Sequence, residues 1–131
     1  MKTIRILTLL ALFVTFGQTS QAQTDGVPKE VVEALKAGDS NKLSGYLNTT
    51  VELVIGKTND VYSKQQAVGI IADFFRKNTV SSFNVLHNGN KGAASFIIGT
   101  LKTNTGNYRV YVLTRKTDNK SLIQQLRIET E

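Results

Sequence analysis

The sequence contains no cysteine, one proline (Pro28) and one histidine (His87) in 131 residues. Without thiols there is no disulfide scaffold, no Cys-ligated zinc and no iron–sulfur site. One imidazole cannot build a multi-histidine metal centre or a histidine pair, so neither a metal nor a cofactor is expected. With 40% hydrophobic, 20% charged and 8% aromatic residues, the chain is neither collagen-like nor wholly disordered. It reads as one soluble globular domain.

The apolar stretch at residues 6–16 is too short to span a bilayer, which takes about 20 residues. Lys2 and Arg5 precede it, and Ser20-Gln21-Ala22 follows as a small-x-small cleavage site. This pattern predicts a secretory signal peptide over residues 1–22, cut after Ala22. The expected mature chain has 109 residues, is exported to a periplasm or beyond, and keeps no transmembrane segment. A chain of that size can bury a core without disulfides, which suits bacterial export. Cleavage removes two cations and no acid, leaving 14 basic residues against 10 acidic, net +4. So modest an excess serves solubility, and nucleic acid is not an expected partner.

Residues 23–27 read as a short linker and residues 28–131 as a single domain. Pro28 suits the first turn of a helix, Val31, Val32 and Leu35 recur at helical spacing, and Gly38 is a plausible stop. Asp39 or Ser40 would cap a second, shorter helix, with Leu43, Tyr46 and Leu47 on its buried stripe. Val51, Leu53 and Ile55 alternate as a strand, and turn-rich residues 56–60 lead to a brief extended piece, Val61-Tyr62. Ser63 with Gln66 forms a capping box for a third helix, whose Ala67, Ile70, Ile71, Phe74 and Phe75 share one face. Gly69 lies mid-helix and is read as simply tolerated.

From Ser81 the period changes to two. Residues 82–87, 93–103, 108–115 and 122–129 read as four antiparallel strands separated by Asn- and Gly-rich turns. Turn lengths assign the faces, because a one-residue slip exchanges them. A two- or four-residue loop around Thr105-Gly106 places Ile97, Gly99 and Leu101 with Tyr108, Val110 and Val112. A three-residue loop at residues 117–119, with Asn119 left-handed, adds Leu122, Gln124, Leu126 and Ile128 to this helix-covered face. The outer face then carries Phe96, Ile98, Lys102, Arg109, Tyr111, Leu113, Arg115, Ile123, Gln125, Arg127 and Glu129, with Arg109 opposite Arg127. The expected fold is α+β, three N-terminal helices packed on a curled antiparallel sheet.

This order of elements resembles the nuclear-transport-factor-two-like superfamily, whose cone-like fold encloses a pocket between sheet and helices. The strings Val61-Tyr62-Ser63-Lys64-Gln65-Gln66-Ala67 and Asp73-Phe74-Phe75-Arg76-Lys77-Asn78 carry a closer resemblance. With Ile98-Gly99-Thr100-Leu101, Tyr108-Arg109-Val110-Tyr111 and Leu122-Ile123-Gln124-Gln125-Leu126-Arg127-Ile128-Glu129, they are similar to a family of small exported bacterial proteins known as domain of unknown function 4783. The superfamily includes isomerases, dehydratases and cyclases, but fold alone does not carry function.

Catalysis finds little support in the residues. The strands at residues 95–102 and 108–115 contain no Asp or Glu, and His87 has no evident acidic partner. Gly89-Asn90-Lys91-Gly92 lies in a hairpin, not between a strand and a helix, and there is no nucleophile elbow or calcium loop. The expectation is therefore a non-enzyme. Its pocket would bind a small amphipathic ligand between Tyr46, Tyr62, Phe74, Phe75, His87, Tyr108 and Gln124. Alternatively the outer face acts as an interaction surface, with Phe96, Ile98, Arg109, Tyr111, Leu113, Ile123 and Arg127 forming a homodimer interface.

Overall fold

Local backbone chemistry fixes the helices. Pro28, with φ −55°, stands immediately before α1 (Lys29–Ala37), and Gly38 ends it in the left-handed region at φ +62°. The Asp39 carboxylate accepts the Lys42 amide at 3.0 Å and caps α2 (Ser40–Ser44). At α3 (Lys64–Lys77), the Ser63 hydroxyl accepts the Gln66 amide while the Gln66 side chain accepts the Ser63 amide, each at 3.2 Å. This reciprocal box satisfies two donors that the first turn would otherwise leave free. The computed structural model describes residues 26–131; the expected signal peptide, its cleavage point and most of the linker lie outside the described residues.

Six strands complete the domain: β1 (Leu47–Ile55), β2 (Thr58–Ser63), β3 (Val80–Lys91), β4 (Ala94–Thr103), β5 (Gly106–Thr117) and β6 (Lys120–Thr130). They form one curled, unclosed sheet in the order β2-β1-β6-β5-β4-β3. Every neighbouring pair is antiparallel except β1 and β6, which run parallel. Two-residue loops join β1 to β2 and β3 to β4, with Gly56 and Gly92 at φ near +60° in their first positions. Glycine adopts that conformation without a Cβ penalty.

The core lies between the helices and the concave face of the sheet. Val31, Leu35, Leu43, Ile71, Phe74 and Phe75 from the helices meet Val51, Leu53, Phe83, Ile97, Leu101, Val110, Val112, Ile123, Leu126 and Ile128 from the strands. The resulting fold is the expected α+β cone.

Four details depart from the sequence expectations. Leu47 begins β1 and is not part of the α2 stripe, and the piece at Val61-Tyr62 is a six-residue edge strand. Asp118 and Asn119 are both left-handed, at φ +50° and +66°, so Thr117 pairs with Lys120 across a two-residue loop. Consecutive left-handed residues match the right-handed twist of a hairpin, which makes the shorter loop favourable. A bulge then inserts Gln124 between the pairs Thr114–Ile123 and Leu113–Gln125. These two events reverse the faces of residues 122–124, then restore them. Ile123 is therefore fully buried in the core and not part of the outer face. Arg109 lies opposite Glu129, and not opposite Arg127, which faces Tyr111.

Candidate functional site

The outer face is built in rows across the strands. One row runs Glu52, Gln125, Leu113, Phe96, Gly89, and the next runs Val54, Arg127, Tyr111, Ile98, His87. Phe96, Ile98, Tyr111 and Leu113 are half-buried, and the Phe96 and Tyr111 rings stack with centroids 6.1 Å apart. Val54, at 8% exposure, lies beyond Arg127 in the same row, toward β2. The helices pack with the side chains of the opposite face in one core.

Charge flanks the strip and is answered within the chain. Arg127 reaches Glu129 at 3.3 Å, and Arg109 reaches Glu131 at 3.5 Å, where Thr100 also donates to the Glu131 carboxylate. Four half-exposed groups of alternating sign replace the like-charge pair expected from the simpler register. Such surface pairs contribute little to stability individually, but they answer Arg109 and Arg127 beside the apolar strip.

The seven residues expected to line a cone pocket fall in different settings. Phe74 and Phe75 are 9% and 8% exposed and belong to the core. The Tyr108 ring meets Phe74 edge-on at 5.1 Å, and its hydroxyl donates to Asn78 Oδ1 at 3.2 Å, pinning β5 to the end of α3. Tyr46 and Tyr62 are half-buried against the core. Burial pushes the Tyr46 phenol above its ordinary pKa of 10.0, assisted by the charges of Glu30 and Glu33. Gln124 is the bulge residue of β6. His87 is a correction: a second bulge, at Leu86 between the pairs Val85–Gly99 and His87–Ile98, turns it onto the outer face, where it is exposed.

A cleft of about 490 Å³ lies elsewhere, between α1 and the β3 edge, and none of those seven residues lines it. Its helical wall is Lys29, Val32, Glu33 and Lys36, spaced to share one side of α1. Val85, Asn88 and Asn90 of β3 face them, above Ile97. The sequence reading missed this cleft because it depends on the β3 bulge. The doubled apolar pair Val85-Leu86, which interrupts strict alternation, was the available signal.

Among the described residues, no three His, Asp or Glu side chains gather closely enough to hold a metal ion. Asp73 is engaged by Lys77 at 3.1 Å and by Arg76, and the Lys77 hydrogen bond chiefly holds its carboxyl below the usual range. No described helix is long and apolar enough to cross a membrane.

Comparison with known proteins agrees with this architecture. A solved DUF4783 family protein from Bacteroides ovatus ATCC 8483 is 41% identical, with a TM-score of 0.79 over 82% of this chain and 98% of that one. Another, from Bacteroides fragilis YCH46, is 45% identical, with a TM-score of 0.77 over 80% and 99%. An NTF2-like protein of unknown function from Cytophaga hutchinsonii ATCC 33406 is 13% identical at a TM-score of 0.57, over 79% and 85%, and shares the fold alone. No curated protein matches the chain. The model of the domain of unknown function DUF4783 matches residues 28–129, from the proline that opens α1 almost to the end of β6, and the chain belongs to that family.

Proposed function

We propose that this chain is an exported, non-catalytic module that works through the outer face of its sheet, pairing face to face with a second copy of itself. The observation that carries this reading is the strip of Ile98, Tyr111, Phe96 and Leu113, with Arg109, Arg127, Glu129 and Glu131 at its border paired within the chain. A two-fold interface brings a patch against itself, so it tolerates a balanced border and disfavours an unbalanced one. Burying one such apolar side chain contributes roughly 1.5–3 kcal/mol. The non-catalytic reading rests on placement, since His87 stands exposed on the outer face and Asp73 is committed to Lys77 and Arg76.

Sedimentation velocity on the mature protein, from micromolar concentration upward, tests the assembly. A dimer is expected, weakened by Leu113→Glu, which puts a charge where the partner would desolvate it. Because Arg109 and Arg127 are internally paired, salt should change the association only slightly. A monomer throughout, with Leu113→Glu indistinguishable from the parent, overturns the reading. Export is tested by the N-terminus: recovery outside the cytoplasm beginning at Gln23 supports it, and an intact Met1 chain in the cytosol contradicts it.

A second reading is binding of a small amphipathic ligand. The cleft between α1 and β3 favours it, because its volume lies within the range of about 300–1,000 Å³ usual for small-molecule sites.

A further inference from the structure

We propose that the cleft between α1 and β3 binds an amphipathic carboxylate, a small organic acid with an alkyl body, its head held between Lys29, Lys36 and the carboxamides of Asn88 and Asn90. The proposal rests on the ligand-binding reading above and names the class of ligand.

The strand wall owes its character to the β3 bulge. On an uninterrupted strand, residues 87 and 89 would share the concave side with Phe83 and Val85. The extra residue at Leu86 changes that parity, so Asn88 pairs with the inward-facing Ile97 and Asn90 with Ser95. A bulge is a recognised means of re-aiming side chains at a sheet edge. Here it replaces an imidazole and a glycine with two carboxamides, directed to the side on which α1 lies. Neither carboxamide makes a hydrogen bond among the described residues, so their N–H donors are available to a ligand.

The helical wall carries two cations and one acid, Lys29 and Lys36 with Glu33 between them. Glu33 lies 4.0 Å from Lys42, whereas Lys29 and Lys36 make no ion pair among the described residues. Seven residues of helix separate their α-carbons by about 10 Å along the axis. Long flexible lysine stems can therefore converge on a head group lying between them. Val32, Val85 and Ile97 supply an apolar floor for a hydrocarbon body. Two free ammonium groups and two amide donors facing one volume favour a ligand carrying negative charge and acceptor oxygens. The apolar floor favours an alkyl acid over a bare inorganic anion.

The test uses protein expressed from the full chain and titrated with sodium decanoate below its micelle concentration. Decanol and decyltrimethylammonium serve as neutral and cationic controls. Calorimetry gives affinity, and backbone amide NMR shifts give location. Decanoate should bind saturably, with shifts concentrated at Val32, Val85, Asn88, Asn90 and Ile97, and at least about tenfold more tightly than either control. Lys29→Ala with Lys36→Ala should weaken decanoate about tenfold while leaving the unliganded melting temperature unchanged, since both lysines are exposed. Replacing both by Arg should retain binding.

Controls that bind at this cleft as tightly as decanoate, with the double alanine variant unaffected, overturn the carboxylate assignment and leave the cleft a ligand site. Decanoate shifts confined to other surfaces overturn the location. Failure of all three probes to shift any cleft residue overturns both this proposal and the ligand-binding reading beneath it.

Discussion

Phe96 lies over Gly89, its partner across β3 and β4, so closely that a β-carbon on the glycine would stand 2.5 Å from the ring at Cε1. The same ring stacks on Tyr111 of β5, so the missing side chain of one edge residue sets the position of an aromatic pair on the outer face. Gly89→Ala must displace Phe96. Overpacking of this kind costs about 1–3 kcal/mol. Urea unfolding of this variant should show that loss, and the dimer should weaken with it. An unchanged midpoint would mean that the ring moves aside freely.

The β6 bulge makes Ile123 a core residue and leaves Ile98 on the outer face. Ile123→Ala should therefore cost about 2–5 kcal/mol, the range for emptying a packed core position. Ile98→Ala should cost less, when both are measured under conditions where the protein is monomeric. The opposite ranking in denaturant midpoints would refute the register.

Gly69 sits mid-way along α3, exposed, with nothing within 4 Å of the position its β-carbon would take. Alanine there fits the helix and removes conformational freedom from the unfolded chain. Gly69→Ala should raise stability by about 0.5–1 kcal/mol, visible as a higher melting temperature.

Tyr46 supplies a pH dependence of definite sign. Its phenol has a raised pKa in the fold, from burial first and then from Glu30 and Glu33. Below its ordinary value of 10.0 both folded and unfolded chains hold the proton, and the contribution to stability is complete. As pH rises past that value the unfolded chain ionises first, and stability falls until the folded phenol also titrates. Unfolding free energies of the parent and of Tyr46→Phe should converge on this alkaline limb, the parent losing more. Parallel profiles would show that Tyr46 is not responsible.

Helix boundaries were legible in the sequence because their determinants are local. Ser63 and Gln66, Asp39, Pro28 and Gly38 act within a few residues of themselves, and the buried face of α3 follows its apolar spacing. The strands were also legible, but their register was not fully so. Whether residues 117–119 make a loop of two residues or three depends on Asp118 accepting a left-handed conformation beside Asn119. The doubled pairs Leu122-Ile123 and Gln124-Gln125 do break the alternation, and in hindsight they mark the bulge. The parallel pairing of β1 with β6 left no local mark, since it joins segments about 75 residues apart by contacts that only the assembled sheet provides.

That parallel pairing also bears on when the domain can form during synthesis. β1 lies between β2 and β6, and β6 is the last of the six strands to be made. Leu53 and Ile55, buried beside Leu126 and Ile128, have no complete sheet to join until the C-terminal strand has emerged. An unfinished chain can form its helices and the β1–β2 hairpin, but the sheet remains divided. Folding should therefore be late and cooperative, completing only once β6 is available rather than progressively from the N-terminus. A chain threaded through a membrane in extended form would gain from that delay, because a domain that closes only with its final strand stays open long enough to be moved.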